Sequence, residues 1–318
     1  MKHLNGNVLN AGNIFEQTGI YTTGHLKINN QLLDCPRCLH CYPYLQGYSN
    51  LEKELVDFCK EYYPELKEND KSLISPKELD IVIPELKLAI EFNGTYWHSE
   101  QAGKDKNYHL NKTLECEAHG YKLIHIFEHE WMNKQEIIKA KLKALFGVEQ
   151  KRIYARKCIV KEISAAVKNE FLNNYHIQGE DKSEIKLGLY FSDELVAVMT
   201  FSKSRFNKKY EYELIRYATS KQVIGGAGKL LKYFERTYKP KSIITYADRR
   251  FSQGNMYNKL GFKLDHISKP NYLWIKDNKI LTRYQCQKHK LKTLLKKSDS
   301  ALTESENMVN NRILSFIR

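Results

Sequence analysis

The sequence predicts an α/β chain organised as two domains, and three observations predict it. Strand-like runs alternate with amphipathic helical patterns in both halves, as expected of sheets covered by helices. The length of 318 residues, with 42% hydrophobic and 12% aromatic content, suits about two globular domains. The charge is segregated: residues 1–150 hold 17 Lys+Arg against 21 Asp+Glu, net −4, and residues 151–318 hold 34 against 16, net +18. Such a division suits carboxylates that hold a metal in one half and cations that neutralise phosphates in the other. A generally lysine-rich chain would not segregate its charge.

In chain order, residues 1–34 are polar, rich in Asn and Gly, and carry NGN, NAGN and INN clusters that favour loops, so poor order is expected up to about residue 48. DCPRCLHC follows, with Cys35, Cys38 and Cys41. A CxxC is half of a zinc ribbon, and no other CxxC exists in the chain. The three cysteines with His40 form a candidate Zn²⁺ set, although the tight spacing strains tetrahedral geometry. Seven cysteines and no sign of secretion argue against disulfides. No run approaches the roughly 18 apolar residues of a membrane span, and MKHLNGNVLN lacks the apolar core of a signal peptide. A cytoplasmic protein with no membrane partner is expected.

SNLEKELVDFCKEYYPEL reads as an amphipathic helix with Ser49 as N-cap, Glu52 as capping-box partner, and Leu51, Leu55, Phe58 and Tyr62 at helical spacing. LDIVIPELKLAIEFNGTYWH then gives two strands, Leu79 to Ile83 and Leu88 to Phe92, around a Pro-Glu-Leu-Lys turn. The hairpin brings Asp80, Glu91 and His98 near one another. Carboxylates suit a hard divalent ion such as Mg²⁺, and a neutral imidazole can take a proton from an attacking water, the parts that phosphodiester hydrolysis needs. The alternative is a structural hairpin in which Asp80 caps a turn and His98 packs on Trp97. Downstream come a helix ending at Gly120, a buried strand from Lys122 to Phe127, a closing helix from Asn133 to Phe146, and a domain boundary near residue 150.

Residues 49–131 resemble the EDxHD homing endonucleases of phages, relatives of the very short patch repair endonuclease within the wider PD-(D/E)XK-like group. The resemblance rests on Ser49-Asn50-Leu51-Glu52, Leu79-Asp80-Ile81, Ala89-Ile90-Glu91-Phe92-Asn93-Gly94, Tyr96-Trp97-His98, Lys104 to His109, and Gly120 to Ile124, in that order. It implies a restriction-endonuclease-like domain over 49–148 and a Mg²⁺-dependent activity on double-stranded DNA. Glu52, Asp80, His98 and Asp105 would be catalytic, with Asn93 as the variable position. Asp80 and the Phe92 carbonyl would hold the metal, and Glu91 would join them or pair with a buried lysine. The family often carries a cysteine-paired element before this helix. The repair enzyme has a second histidine at the position of Asn93.

The second half reads as a helix from Ile163 to Tyr175, strands at Lys186–Tyr190, Leu195–Ser202, Tyr212–Ala218 and Ser242–Tyr246, and a turn at Asp193-Glu194. QVIGGAGKLLKYFERTY is a glycine-rich loop entering a helix with Leu230, Leu231 and Phe234 inward, and GNMYNKLGF places a helix before a strand at Phe262. This order is similar to the GNAT acyltransferase fold over 149–292, where Gly225, Gly226, Ala227 and Gly228 would hold coenzyme A pyrophosphate. Reused for DNA, the same module would present Arg205, Lys208, Lys209, Arg216, Arg249 and Arg250. Tyr246 to Arg250 and Lys269 to Tyr272 mix bases, aromatics and hydrogen-bonding groups, which suits either DNA contact or a packed turn. Arg283 to Lys297 reads as a basic amphipathic helix offering Lys288 and Lys290, and residues 293–318 as a helical tail.

The expected protein is a metal-dependent DNA endonuclease of homing type. A mismatch-nicking repair nuclease and an acetyl-CoA-dependent N-acetyltransferase are the alternatives. Whether one strand or two are cut depends on oligomeric state, and a homodimer stays open.

Overall fold

A computed structural model describes residues 6–10, 13–17, 22–28 and 31–37 as backbone, and residues 50–94, 107–148, 151–252, 254–268, 272–276, 279–281, 285–311 and 313–317. The chain forms two compact units, Met1–Leu55 and Val56–Arg318. The sequence boundary near residue 150 falls inside the second. Among the described residues, no helix is long and apolar enough to cross a membrane.

The first unit corrects the expectation of loops. β1 (Gly6–Asn10) pairs antiparallel with β2 (Asn13–Gln17), and β3 (Thr22–Ile28) with β4 (Gln31–Arg37). Of the Asn/Gly clusters that suggested loops, NAGN and INN include the pairs' last residues Asn10, Asn13 and Ile28, whereas Gly6 and Asn7 of NGN lie in β1. Short polar strands lack the apolar alternation that would have revealed them. Helix α1 (Asn50–Lys60) follows, carrying Glu52 in its first turn.

The second unit opens with a four-stranded sheet ordered β5 (Lys67–Asp70), β6 (Leu79–Ile83), β7 (Leu88–Asn93), β8 (Lys122–Phe127). β6 and β7 form the expected hairpin, turned by Pro84–Leu86 and a left-handed Lys87 at φ 48°. β7 and β8 are parallel, so the chain must cross between them, and α2 (Tyr108–Ala118) lies on that crossover. The α2 helix ends where Gly120 takes φ 76° and the Tyr121 N–H closes on the Cys116 carbonyl at 2.9 Å. Its Cys116 packs with Val82, Ala89 and Leu123, so α2 covers the sheet face on which those residues lie. α3 (Glu128–Leu145) begins at the end of β8, five residues before the sequence suggested, and breaks helical geometry at Lys134. Tyr63, beyond α1, bonds the Phe146 carbonyl at 3.1 Å.

A five-stranded sheet follows, ordered β10 (Ile159–Glu162), β11 (Ile185–Phe191), β12 (Glu194–Lys203), β13 (Tyr212–Thr219), β15 (Ile243–Thr245). α4 (Ala165–Tyr175), capped by Ser164, packs Phe171 and Leu172 on Val198 and Ala218. α5 (Gly226–Tyr238) packs Leu230, Leu231 and Phe234 on the opposite face, with Phe234 stacked on Phe201 at 3.7 Å. The molecule is therefore mixed α/β in both sheets. The β11–β12 turn is Ser192-Asp193, both at positive φ, one residue before the expected pair. A short β9 (Arg152–Tyr154) pairs in parallel with β14 (Gln222–Ile224). β13 and β15 pair in parallel from Tyr212↔Ile243 to Leu214↔Thr245; beyond that β13 continues in its pairing with β12 to Ala197↔Thr219.

After α6 (Asn255–Lys259) no strand forms at Phe262; that side chain packs instead against the second core with Met256 and Leu260. The basic helix expected over 283–297 is also absent. Its described part holds a 3-10 turn at Lys288–Lys290 and the four-residue α7 (Leu291–Leu294), after which Leu295 is extended. Side chains compete with helical bonding there: Asn311 accepts from the Lys297 N–H, and Asn307 from the Asp299 N–H at 2.7 Å. The tail is not a free helix. α8 (Glu304–Asn310), capped by a Thr303–Glu306 box, leads into β18 (Leu314–Ile317), which pairs with β16 (Tyr272–Lys276) beside β17 (Lys279–Leu281). Trp274, Cys286, Leu291, Met308 and Ile313 form the core of this C-terminal element.

Candidate active site

Strand alternation builds the site. The register Ile81↔Ile90 places Asp80 opposite Glu91, and Glu91 is itself paired with His125 on β8. Asp80, Glu91, Asn93 and His125 thus share the sheet face that α2 covers, in a polar row beside Val82, Ala89 and Leu123. From α2, Lys112 reaches down to Glu91 at 2.6 Å, with both side chains almost wholly buried. The Phe92 N–H donates to Asp80 Oδ2 at 2.6 Å. That bond fixes the carboxylate against the end of β7.

This cluster carries more negative charge than its single ammonium offsets. Burial pushes Asp80 up to about 6 against the pull of the Phe92 N–H and Lys112. Burial, then the neighbouring Asp80 charge, pushes Glu91 up to about 8. Burial pulls Lys112 toward neutrality, but Glu91 outweighs it and the lysine stays above its ordinary value. Two adjacent carboxylates that burial holds toward protonation are a fit for a hard divalent ion, which takes one or two carboxylates and completes its shell with water and phosphate oxygen. Among the described residues no group of three metal-ligating side chains forms. Lys112 belongs to the interior and is the buried lysine that pairs with Glu91.

The two histidines of this layer have structural surroundings. Thr113 Oγ1 donates to the His109 carbonyl at 2.8 Å, so it is left to accept from His125 Nε2 at 2.9 Å. His125 Nδ1 then accepts from the Asn93 amide at 3.3 Å, which fixes a neutral imidazole. His109 packs edge to face on His125 at 5.0 Å. Glu52 lies in the first unit, and its place relative to this cluster is not described. His98 and Asp105 lie outside the described residues, as do Cys38 and Cys41; Cys35 lies in β4, paired with Gly24.

The basic residues sort into two kinds. Arg250 is a correction: it is only 9% exposed and points inward, to Glu130 at 2.7 Å, Asp248 at 2.7 Å and the His125 carbonyl, with its guanidinium over Phe127. A guanidinium so neutralised has no edge left for DNA. It ties the segment after β15 to β8 and α3. Arg249 remains at the surface, 3.5 Å from Glu117. Arg205 is bound through Nε to the buried Glu213 at 3.1 Å, Lys208 donates to the Ser204 carbonyl, and Lys209 and Lys288 are exposed, with Lys290 half-buried. Arg216 is half-buried in β13.

Where β13 and β15 part, a cleft of about 640 Å³ opens, floored by His109 and His125 and walled by Arg205, Tyr246 and Arg249. Sequence reasoning did not foresee it, because its walls come from both halves of the chain. At the other end of β13, Gly226 is packed so tightly that a Cβ would meet Val223 at 2.9 Å and the Tyr217 hydroxyl at 3.0 Å. The Ala227 N–H bonds that hydroxyl, whose pKa burial raises. Of the loop amides that would receive a pyrophosphate, that of Ala227 is therefore already satisfied by protein.

No protein-family model matches this chain, and no curated protein matches it. Among solved structures, the catalytic domain of homing endonuclease I-Bth0305I is similar over 31% of this chain and 96% of its own length, at 22% identity and a TM-score of 0.26.

Proposed function

We propose that the chain is a metal-dependent DNA endonuclease of homing type, with its active site on the face of the first sheet beneath α2. The observation that supports this most is the facing pair Asp80 and Glu91, anchored by the Phe92 N–H and Lys112. Asp80, Glu91 and the Phe92 carbonyl would hold Mg²⁺, and the bound ion would supply positive charge to a phosphoryl oxygen and lower the pKa of an attacking water. Lys112 orients Glu91 before the ion arrives, and the two carboxyls would give up to it the protons that burial holds on them. His98 would accept the proton of the water, with Asp105 adding negative charge around the site. The basic surface of residues 151–318 would hold the duplex through its phosphates.

The test is cleavage of supercoiled plasmid with Mg²⁺ or with EDTA, followed by mapping of the ends. The wild type should cut only with Mg²⁺, and Asp80→Ala should lose cutting while retaining duplex binding in a gel shift. An Asp80→Ala protein that cuts at the wild-type rate overturns the assignment. Cleavage confined to mismatched duplexes would instead favour a repair-type nickase. Asn93, the position at which the repair enzyme carries a second histidine, speaks against that alternative.

A further inference from the structure

The cleft beside the acid cluster has a chemistry of its own. Three large apolar side chains on its rim stand in solvent: Phe206 at 77% exposure, Tyr246 at 50% and Ile267 at 58%. Single exposed apolar residues need no explanation, but several gathered round one concavity mark a binding surface. Phe206 and Tyr246 meet edge to face at 6.4 Å, and Phe206 keeps most of its surface in solvent. The Arg205 guanidinium lies 5.3 Å from the Phe206 ring centre, held by Glu213, which is 2% exposed. On the same cleft, Arg249 makes only a loose, half-exposed pair with Glu117, a contact that a phosphate can displace.

Open aromatic faces accept any nucleobase by stacking, and guanidinium groups accept the phosphate between bases. A base-paired duplex hides its base faces in its own stack; an unpaired nucleotide presents one. We propose that this cleft binds an unpaired nucleotide of the DNA, its base stacked on Phe206 and set edge-on to Tyr246, and its phosphate held by Arg205 and Arg249. The site deepens the nuclease reading and rests on it for the identity of the ligand.

The test is a fluorescence titration in EDTA, using a single-stranded oligonucleotide with 2-aminopurine and a hairpin duplex of the same sequence. The wild type should quench the single-stranded probe on binding. Phe206→Ala and Tyr246→Ala should each weaken single-strand binding roughly tenfold, the stacking contribution of one base, with duplex binding unchanged. Phe206→Trp should restore it, and the high exposure of Phe206 keeps these variants folded. Unchanged affinity and quenching in Phe206→Ala overturn the proposal, as does acetyl-CoA binding that Phe206→Ala abolishes while the oligonucleotide still binds. EDTA keeps cleavage out of the readout. Failure of the nuclease reading therefore shows in the plasmid assay, and failure of this site in the titration.

Discussion

The Lys112 ammonium lies 2.6 Å from Oε1 of Glu91, with the two side chains 4% and 2% exposed. Breaking such a buried pair from the lysine side leaves an unpaired acid. Lys112→Met should destabilise the protein by about 3 kcal/mol, the low end for a broken buried pair, because Glu91 loses the partner that satisfies it in the interior. Lys112→Met with Glu91→Gln should recover part of that loss. Urea unfolding midpoints measure both.

The pH dependence of the metal-free protein follows from the same cluster. Asp80 at about 6 and Glu91 at about 8 hold protons in the folded state that the unfolded chain has already released. Between about pH 4 and pH 8 the folded state therefore binds more protons, and this contribution to stability is lost as pH rises. In EDTA the melting temperature should fall from pH 5 to pH 8, and Asp80→Asn should flatten the slope. Mg²⁺ should raise the melting temperature more at pH 8 than at pH 5, because the ion competes with the protons. No Mg²⁺ effect at either pH would remove the ion from this pair.

Neighbouring arginines should behave oppositely. Arg250→Ala strips the buried Glu130 of its partner and should cost about 3–5 kcal/mol in denaturant unfolding. Arg249→Ala should change stability by less than about 1 kcal/mol. It should instead weaken duplex binding and lower the slope of log affinity against log salt by about one contact. A normal salt slope in Arg249→Ala would take that residue off the DNA surface.

The packed α5 N-terminus gives a fourth expectation. Tyr217→Phe removes the hydroxyl that the Ala227 N–H uses and should cost about 1 kcal/mol. Calorimetric titration of the wild type with acetyl-CoA should give no binding heat. A saturable heat would show that the loop opens for a phosphate and would revive the acyltransfer reading.

Much of the fold was legible in residue order. The β6–β7 hairpin announces itself through two apolar runs around a proline turn, and α5 through Leu230, Leu231 and Phe234 behind a glycine-rich entry. These signals are local: side-chain periodicity and turn chemistry act over a few residues. Asp80 and Glu91 were legible as a pair for the same reason, since one short hairpin sets them opposite each other.

Only the tertiary structure decided what became of the charges and of the tail. Arg249 and Arg250 look alike in sequence, yet one faces solvent and the other pairs with Glu130, 120 residues away. Whether Lys112 met phosphate, water or Glu91 was open until α2 lay down on β7 and β8. The C-terminal residues read as a loose helix because their partner strand, Tyr272–Lys276, lies some forty residues upstream. The sequence by itself determined the β6–β7 hairpin, the strands and helices of the larger sheet, and which half carries the positive charge. Burial is a property of long-range packing, so which of those charges stay available to a ligand was settled only when the elements came together.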